Sequence, residues 1–222
     1  MSEKHNPRNM CNKRNELNKR NVRIKSLCLP ALILLCLLSF ALAAGCSESN
    51  EDLCFSTEYT VDTLEKRGDA SLSSVNFNKY DDFFSIEESK NAKEQYENAL
   101  IVLSSNPTTA SCMGNDAYKV RIMELNVKYG FLDLFLRYVN TDKKISNMIF
   151  QDFPEFQTTL NTVIRDYEAM RTDVRNLQVA AESIDQSKIP QNSESGFSTV
   201  KTQLDALLKE IDSRLSLLYS YR

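Results

Sequence analysis

The chain has 222 residues, with 27 Lys and Arg against 30 Asp and Glu, a formal net charge of −3, a single histidine (His5) and five scattered glycines. With no histidine after residue 5, the rest of the chain cannot assemble His-dependent triads, Cys-His nucleophiles or histidine metal sites. With no grouped glycines it has no phosphate-cradling loop. The sequence therefore speaks to location and architecture rather than to a reaction.

The charge is divided unevenly. Lys4, Arg8, Lys13, Arg14, Lys19, Arg20, Arg23 and Lys25 face only Glu3 and Glu16, which makes a basic arm of net +6. An uncharged, largely apolar run of 18 residues follows, Leu27 to Ala44, interrupted by Pro30 and Ser39. A basic arm before an apolar run is retained on the cytoplasmic side while the run enters the membrane.

The run ends Leu42-Ala43-Ala44-Gly45-Cys46, which resembles the lipobox of bacterial lipoprotein precursors. The resemblance covers the precursor segment alone. It departs from the family pattern in having Leu42 four places before the cysteine, with Ala43 at the third, and in its long basic arm. It implies that residues 1–45 are a cleaved signal peptide and that Cys46 is the lipidated N-terminus, anchored by acyl chains at about 0.8 kcal/mol per buried methylene. Ser47 stands where an aspartate commonly retains such proteins at the inner membrane, so the resemblance implies outer-membrane sorting where there are two membranes. The alternatives are an uncleaved signal-anchor helix, since 18 residues reach roughly 27 Å, an ordinary secretory signal cut near Ala41-Leu42-Ala43, and a buried core helix.

Residues 46–222 alone carry 19 Lys and Arg against 28 Asp and Glu, net −9. That balance argues against nucleic acid as a partner, because phosphate binding needs clustered positive charge. Cys54 and Cys112 remain after the signal and Cys46 are set aside. They form either a disulfide tying the N-terminal segment to an inter-helix loop or two separate thiols. Lacking CxxC spacing, they do not suggest zinc, and no cofactor is expected.

Residues 46–60, opening SESNED after the cysteine, read as a polar tether, with the helical domain over 61–222. From Tyr59 to Ile86 the signals are mixed, with Gly68-Asp69 as a turn, and the region reads as irregular with one short helix. Asn76, Asn78, Tyr80, Asp82, Phe84 and Glu87 fall at calcium-loop positions, but Asp81 occupies the place that needs glycine. An acidic loop with Phe83 or Phe84 tucked into the core fits better.

A helix is expected from Ser85–Ser89 to Ser105 on the face Ala92, Tyr96, Ala99, Leu103, ending at Asn106-Pro107. Its segment NAKEQYENALIVLSSNP resembles the second helix of a tetratricopeptide repeat. Pro107 is three positions late, and 34 residues on Asn126 and Gly130 replace the small and aromatic residues, so the likeness spans one helix; the alternative is a generic amphipathic helix. A second helix, capped by Asn115 or Asp116, carries Tyr118, Ile122, Leu125, Tyr129, Leu132, Leu136 and Val139, and Gly130 suggests a close neighbour. Asn140-Thr141-Asp142 breaks the pattern, leaving a short helix over Lys143–Phe150.

The strongest periodicity follows. Phe156, Leu160, Val163, Tyr167, Met170, Val174, Leu177, Ala181 and Ile184 alternate by four and three. After the loop KIPQNSESG, the final helix repeats the device with Phe197, Val200, Leu204, Leu207, Ile211, Leu218 and Tyr221, with Arg214 in one seam position and Leu215 beside it. Two such helices make an antiparallel hairpin over 154–222. The fold class is all-α, a helical bundle with a long C-terminal heptad hairpin; the seams close either within the chain or between molecules.

Three functions are weighed. The first is a non-catalytic, lipid-anchored interaction or scaffold module of the cell envelope, with an envelope protein as partner and the hairpin as docking face. The second is a lipoprotein holding a small molecule or lipid within the bundle, lined by Tyr118, Tyr129, Phe131, Phe135, Tyr138 and Tyr167. The third, an enzyme, would need Asp81-Asp82 or Glu87-Glu88 to work as acid-base pairs, but adjacent residues point apart, so no catalytic residue is named.

Overall fold

The computed structural model describes residues 50–79, 82–105, 108–148 and 150–222. The apolar run, Cys46 and Ser47, and with them the expected cleavage and lipidation, lie outside the described residues. Tyr80, Asp81 and Pro107 do too.

The described chain is all-helical: α1 (Asn50–Ser74), α2 (Phe83–Ser105), α3 (Thr109–Met113), α4 (Asn115–Met148), α5 (Phe153–Glu182) and α6 (Glu194–Tyr219), with a 3₁₀ turn at Gln186–Lys188. No described helix is long and apolar enough to cross a membrane. In space the order is α1, α2, α4, α5, α6, each packed on the next, with α6 also against α4 and α3 against α1 and α4.

Local chemistry sets the helix starts. Asp82 accepts from the Ser85 backbone N–H at 3.2 Å and from its hydroxyl at 2.9 Å, which closes the first turn of α2. Asp152 does the same for α5 through Glu155 N at 3.0 Å, with Pro154 in the first turn, where its missing N–H costs nothing.

The heptad seams of α5 and α6 face the interior of this one chain. Leu160, Val163, Tyr167, Met170, Val174 and Ala181 of α5 are buried, as are Phe197, Val200, Leu204, Leu207, Ile211 and Leu218 of α6. Each large apolar side chain so buried contributes about 1.5–3 kcal/mol. Leu215 is buried in place of Arg214, while Tyr221 lies past the helix end and is exposed. Gly130 lets the Leu177 side chain approach the α4 backbone, since a Cβ there would sit 3.1 Å from its methyl carbons.

Several expectations are corrected. Residues 50–60 of the expected tether are helical, and 59–86 is not mostly irregular: α1 runs from Asn50 to Ser74. Its buried stripe is Val61, Glu65, Gly68 and Leu72, so half of the helical face is not apolar and the periodicity is hidden. Gly68 is no turn; it sits mid-helix under the Tyr96 ring, where a Cβ would clash.

The expected break at Asn140-Thr141-Asp142 is also absent, and α4 runs unbroken to Met148. Thr141 is buried, and Asp142 pairs with Arg214 Nε at 3.2 Å and accepts from Tyr167 Oη at 3.4 Å. Tertiary pairing thus overrides weak helix propensity. Lastly, Phe83 and Phe84 are exposed; Phe77 enters the core instead, 5.4 Å from Phe131 and 5.1 Å from Phe135 between ring centroids.

Candidate functional site

The most unusual chemistry in the bundle is a buried ionic cluster between α1 and α4. On α1, Asp62, Glu65 and Asp69 stand at i, i+3 and i+7; on α4, Arg121, Glu124 and Lys128 stand at the same spacing. Those intervals put each trio on one helical face. The two helices run in the same direction, so the trios meet.

Arg121 Nη2 contacts Asp62 Oδ1 and Glu65 Oε2, both at 2.5 Å, and Nη1 donates to Ser193 Oγ at 3.2 Å. Lys128 Nζ reaches Glu65 Oε1 at 2.6 Å, Glu124 Oε1 at 3.0 Å, Asp69 Oδ1 at 3.0 Å and the Ser193 carbonyl at 3.2 Å. It also lies 5.6 Å from the centre of the Tyr96 ring, whose hydroxyl donates to Asp69 Oδ1 at 2.6 Å. Gly196 closes the site, because a Cβ there would overlap the Asp69 carboxylate.

Arg121, Lys128, Glu65 and Glu124 are each at most 2% exposed. Burial is the largest influence on Glu65 and pushes its carboxyl up to about 7; Lys128 pulls it down and neighbouring Glu124 raises it further. Burial alone would lower the Lys128 ammonium, but Glu124, Glu65 and Asp69 together hold it above its usual value. The Tyr96 hydroxyl is pushed far up by burial and by the Asp69 charge.

Chemically the cluster sets two cations, Arg121 and Lys128, among four carboxylates. Among the described residues no group of three His, Cys, Asp or Glu is arranged to hold a metal.

Of these residues sequence reasoning placed Tyr96, on the buried face of α2, and missed the ionic ones. A signal was present: the row Phe131, Phe135, Tyr138 continues N-terminally at the same spacing into Lys128, Glu124 and Arg121, and α1 carries the opposite charges at matching intervals.

Of the residues singled out from sequence, Cys54 in α1 and Cys112 in α3 are bonded to one another, with Cα atoms 5.7 Å apart. Cys112 thus lies in a short helix rather than in a loop. The aromatics considered as a ligand lining divide: Phe131, Phe135, Tyr138 and Tyr167 are buried in the core, with Tyr138 and Tyr167 centroids 5.8 Å apart, while Tyr118 and Tyr129 are half-buried at its edge.

A second feature lies at one end of the bundle. Cys54 joins α3 just before α4 begins, and Asp62 and Asp69 follow α4 upward, so residue 50 sits at the N-terminal end of α4. The Lys93–Asp133 pair at 2.6 Å and the Tyr118–Leu103 bond at 3.4 Å make α2 antiparallel to α4. Arg137–Asp173 at 2.9 Å with Lys144–Asp166 at 2.8 Å does the same for α4 with α5, and Gln178–Asp205 at 2.6 Å with Arg171–Asp212 at 3.6 Å for α5 with α6. Exposed Phe83 and Phe84 at the start of α2, Phe150, Phe153 at the start of α5 and Tyr221 after α6 therefore gather toward the opposite end. Over its 34 residues α4 separates the two ends by about 50 Å.

No family model, no curated protein and no solved structure matches this chain.

Proposed function

We propose that this chain is a lipid-anchored, non-catalytic interaction module of a bacterial cell envelope, fixed to a membrane through Cys46 and engaging an envelope protein with its far end. The observation that carries the interaction reading is the number of exposed aromatics at the end remote from residue 50, Phe83, Phe84, Phe150, Phe153 and Tyr221, against Phe55 and Tyr59 nearer residue 50. Exposed apolar clusters on a folded domain mark contact surfaces more often than chance placement. In this reading the docking face is the tip rather than the C-terminal hairpin, whose apolar seam is buried. The lipid anchor rests on the lipobox resemblance, and outer-membrane sorting on Ser47.

The ligand-holding alternative is less well supported, because Phe131, Phe135, Tyr138 and Tyr167 are packed ring against ring rather than around a space.

A photo-crosslinking amino acid placed at Phe150 or Phe153 of the full chain in cells tests the reading. The expected result is one discrete adduct from the tip, weakened by Phe83→Ser with Phe84→Ser, and none from exposed Thr202 on α6. No adduct from any tip position, or equal adducts from the tip and Thr202, would overturn it.

A further inference from the structure

We propose that Glu65 and Glu124 form a one-proton latch between α1 and α4: while the two carboxyls share a proton, α1 stays docked, and loss of that proton to solvent loosens it.

The geometry carries this. Both carboxyls lie on the same ammonium, Lys128 Nζ, at 2.6 and 3.0 Å, and on the same guanidinium, Arg121, at 2.5 and 3.5 Å. They are within hydrogen-bond reach of one another. Yet Glu65 Oε2 and both Glu124 oxygens accept no well-formed hydrogen bond from any described residue. Two ionised carboxylates have no donor to offer each other, whereas a single proton on either supplies the missing bond and removes the like-charge repulsion.

The charge count agrees. The groups facing the pair are Asp62 and Asp69 from α1, Tyr96 from α2, Arg121 and Lys128 from α4, and Ser193 from the α5–α6 connection. Asp62 is partly solvated, which leaves Glu65, Asp69 and Glu124 against two cations: one excess negative charge, removed by one proton. The raised titration of Glu65, about 7, brings the event near neutral pH.

Opening is a hinge and not a release. Cys54 keeps the start of α1 bonded to α3, so the segment from Asp62 to Ser74 is the part that moves.

The test is hydrogen exchange by mass spectrometry on the full chain in detergent, comparing α1 peptides spanning 61–74 with α5 peptides spanning 160–174. Rates are corrected for the intrinsic dependence of exchange on pH. The expected result is that α1, relative to α5, loses protection by up to tenfold per pH unit between about 4.5 and 7, the slope of one proton, and levels off above about 7. In Glu124→Gln, whose amide donates permanently to Glu65, α1 stays protected across that range. An α1 protection that does not change with pH in the wild type, or a slope that persists in Glu124→Gln, would overturn the proposal. If that variant fails to fold, infrared titration of the wild type decides instead. A buried carboxylic-acid C=O band lost in step with α1 protection supports the latch, and absence of such a band sinks it.

Discussion

Lys128 holds three carboxylates and lies against the face of Tyr96, yet it is fully buried. Removing it leaves Glu65 and Glu124 in the core with Arg121 as their remaining cation, and breaking a buried pair from one side costs about 3–5 kcal/mol. Lys128→Met should therefore lower the unfolding free energy by that much in a urea titration. Lys90→Met, which removes a surface pair with Glu87, should change it by less than about 1 kcal/mol. Gly196→Ala should weaken the same site by forcing Asp69 away from Lys128, by about 1–3 kcal/mol in the same titration. In the sequence this was carried only by the spacing of Arg121, Glu124 and Lys128, and was passed over because Glu65, Arg121 and Lys128 are residue types that composition assigns to the surface, while Gly68 and Gly196 look like ordinary turn or loop residues.

Among the elements, those built on apolar periodicity were readable. The α5 and α6 seams, the α2 face Ala92, Tyr96, Ala99, Leu103 and the α5–α6 loop all follow from residue spacing. α1 was not readable, since its buried stripe includes a carboxylate and a glycine, and the continuity of α4 depends on partners distant in sequence. Arg214 shows why: it occupies a seam position yet meets Asp142 at 3.2 Å, Glu210 at 3.4 Å and Tyr138 Oη at 3.4 Å. Arg214→Leu would restore the apolar repeat but leave Asp142 without its cation and Tyr138 with one hydrogen-bond partner fewer. It should destabilise the fold by about 1–3 kcal/mol, seen as a lower thermal midpoint. The Cys54–Cys112 bond closes a sequence separation of 58 residues across α1 and α3. By chain-entropy reasoning Cys112→Ser costs about 4 kcal/mol, and the loss of protection should appear first in α1 and α3.

On the scale of the whole molecule, the cluster makes stability depend on pH in an uncommon direction. Glu65 titrates at about 7 in the folded chain against 4.5 as its usual value, so the folded state binds the additional proton between those limits. Its stabilising contribution is complete below about 4.5 and is lost as pH rises through about 7, on the order of a few kcal/mol. The Glu124→Gln variant should flatten that part of the urea-midpoint profile.

The same bundle sets residue 50 and the aromatic tip at opposite ends, a layout suited to a membrane-tethered module whose working surface faces away from the lipid. That account depends on Cys46, and intact mass with N-terminal mapping of the membrane-extracted protein, beside Cys46→Ala, tests it most directly. The account predicts a species that begins at an acylated Cys46 and disappears in the variant. An unmodified species beginning near Met1 in both proteins would contradict it, and would make residues 1–25 a permanent cytoplasmic arm.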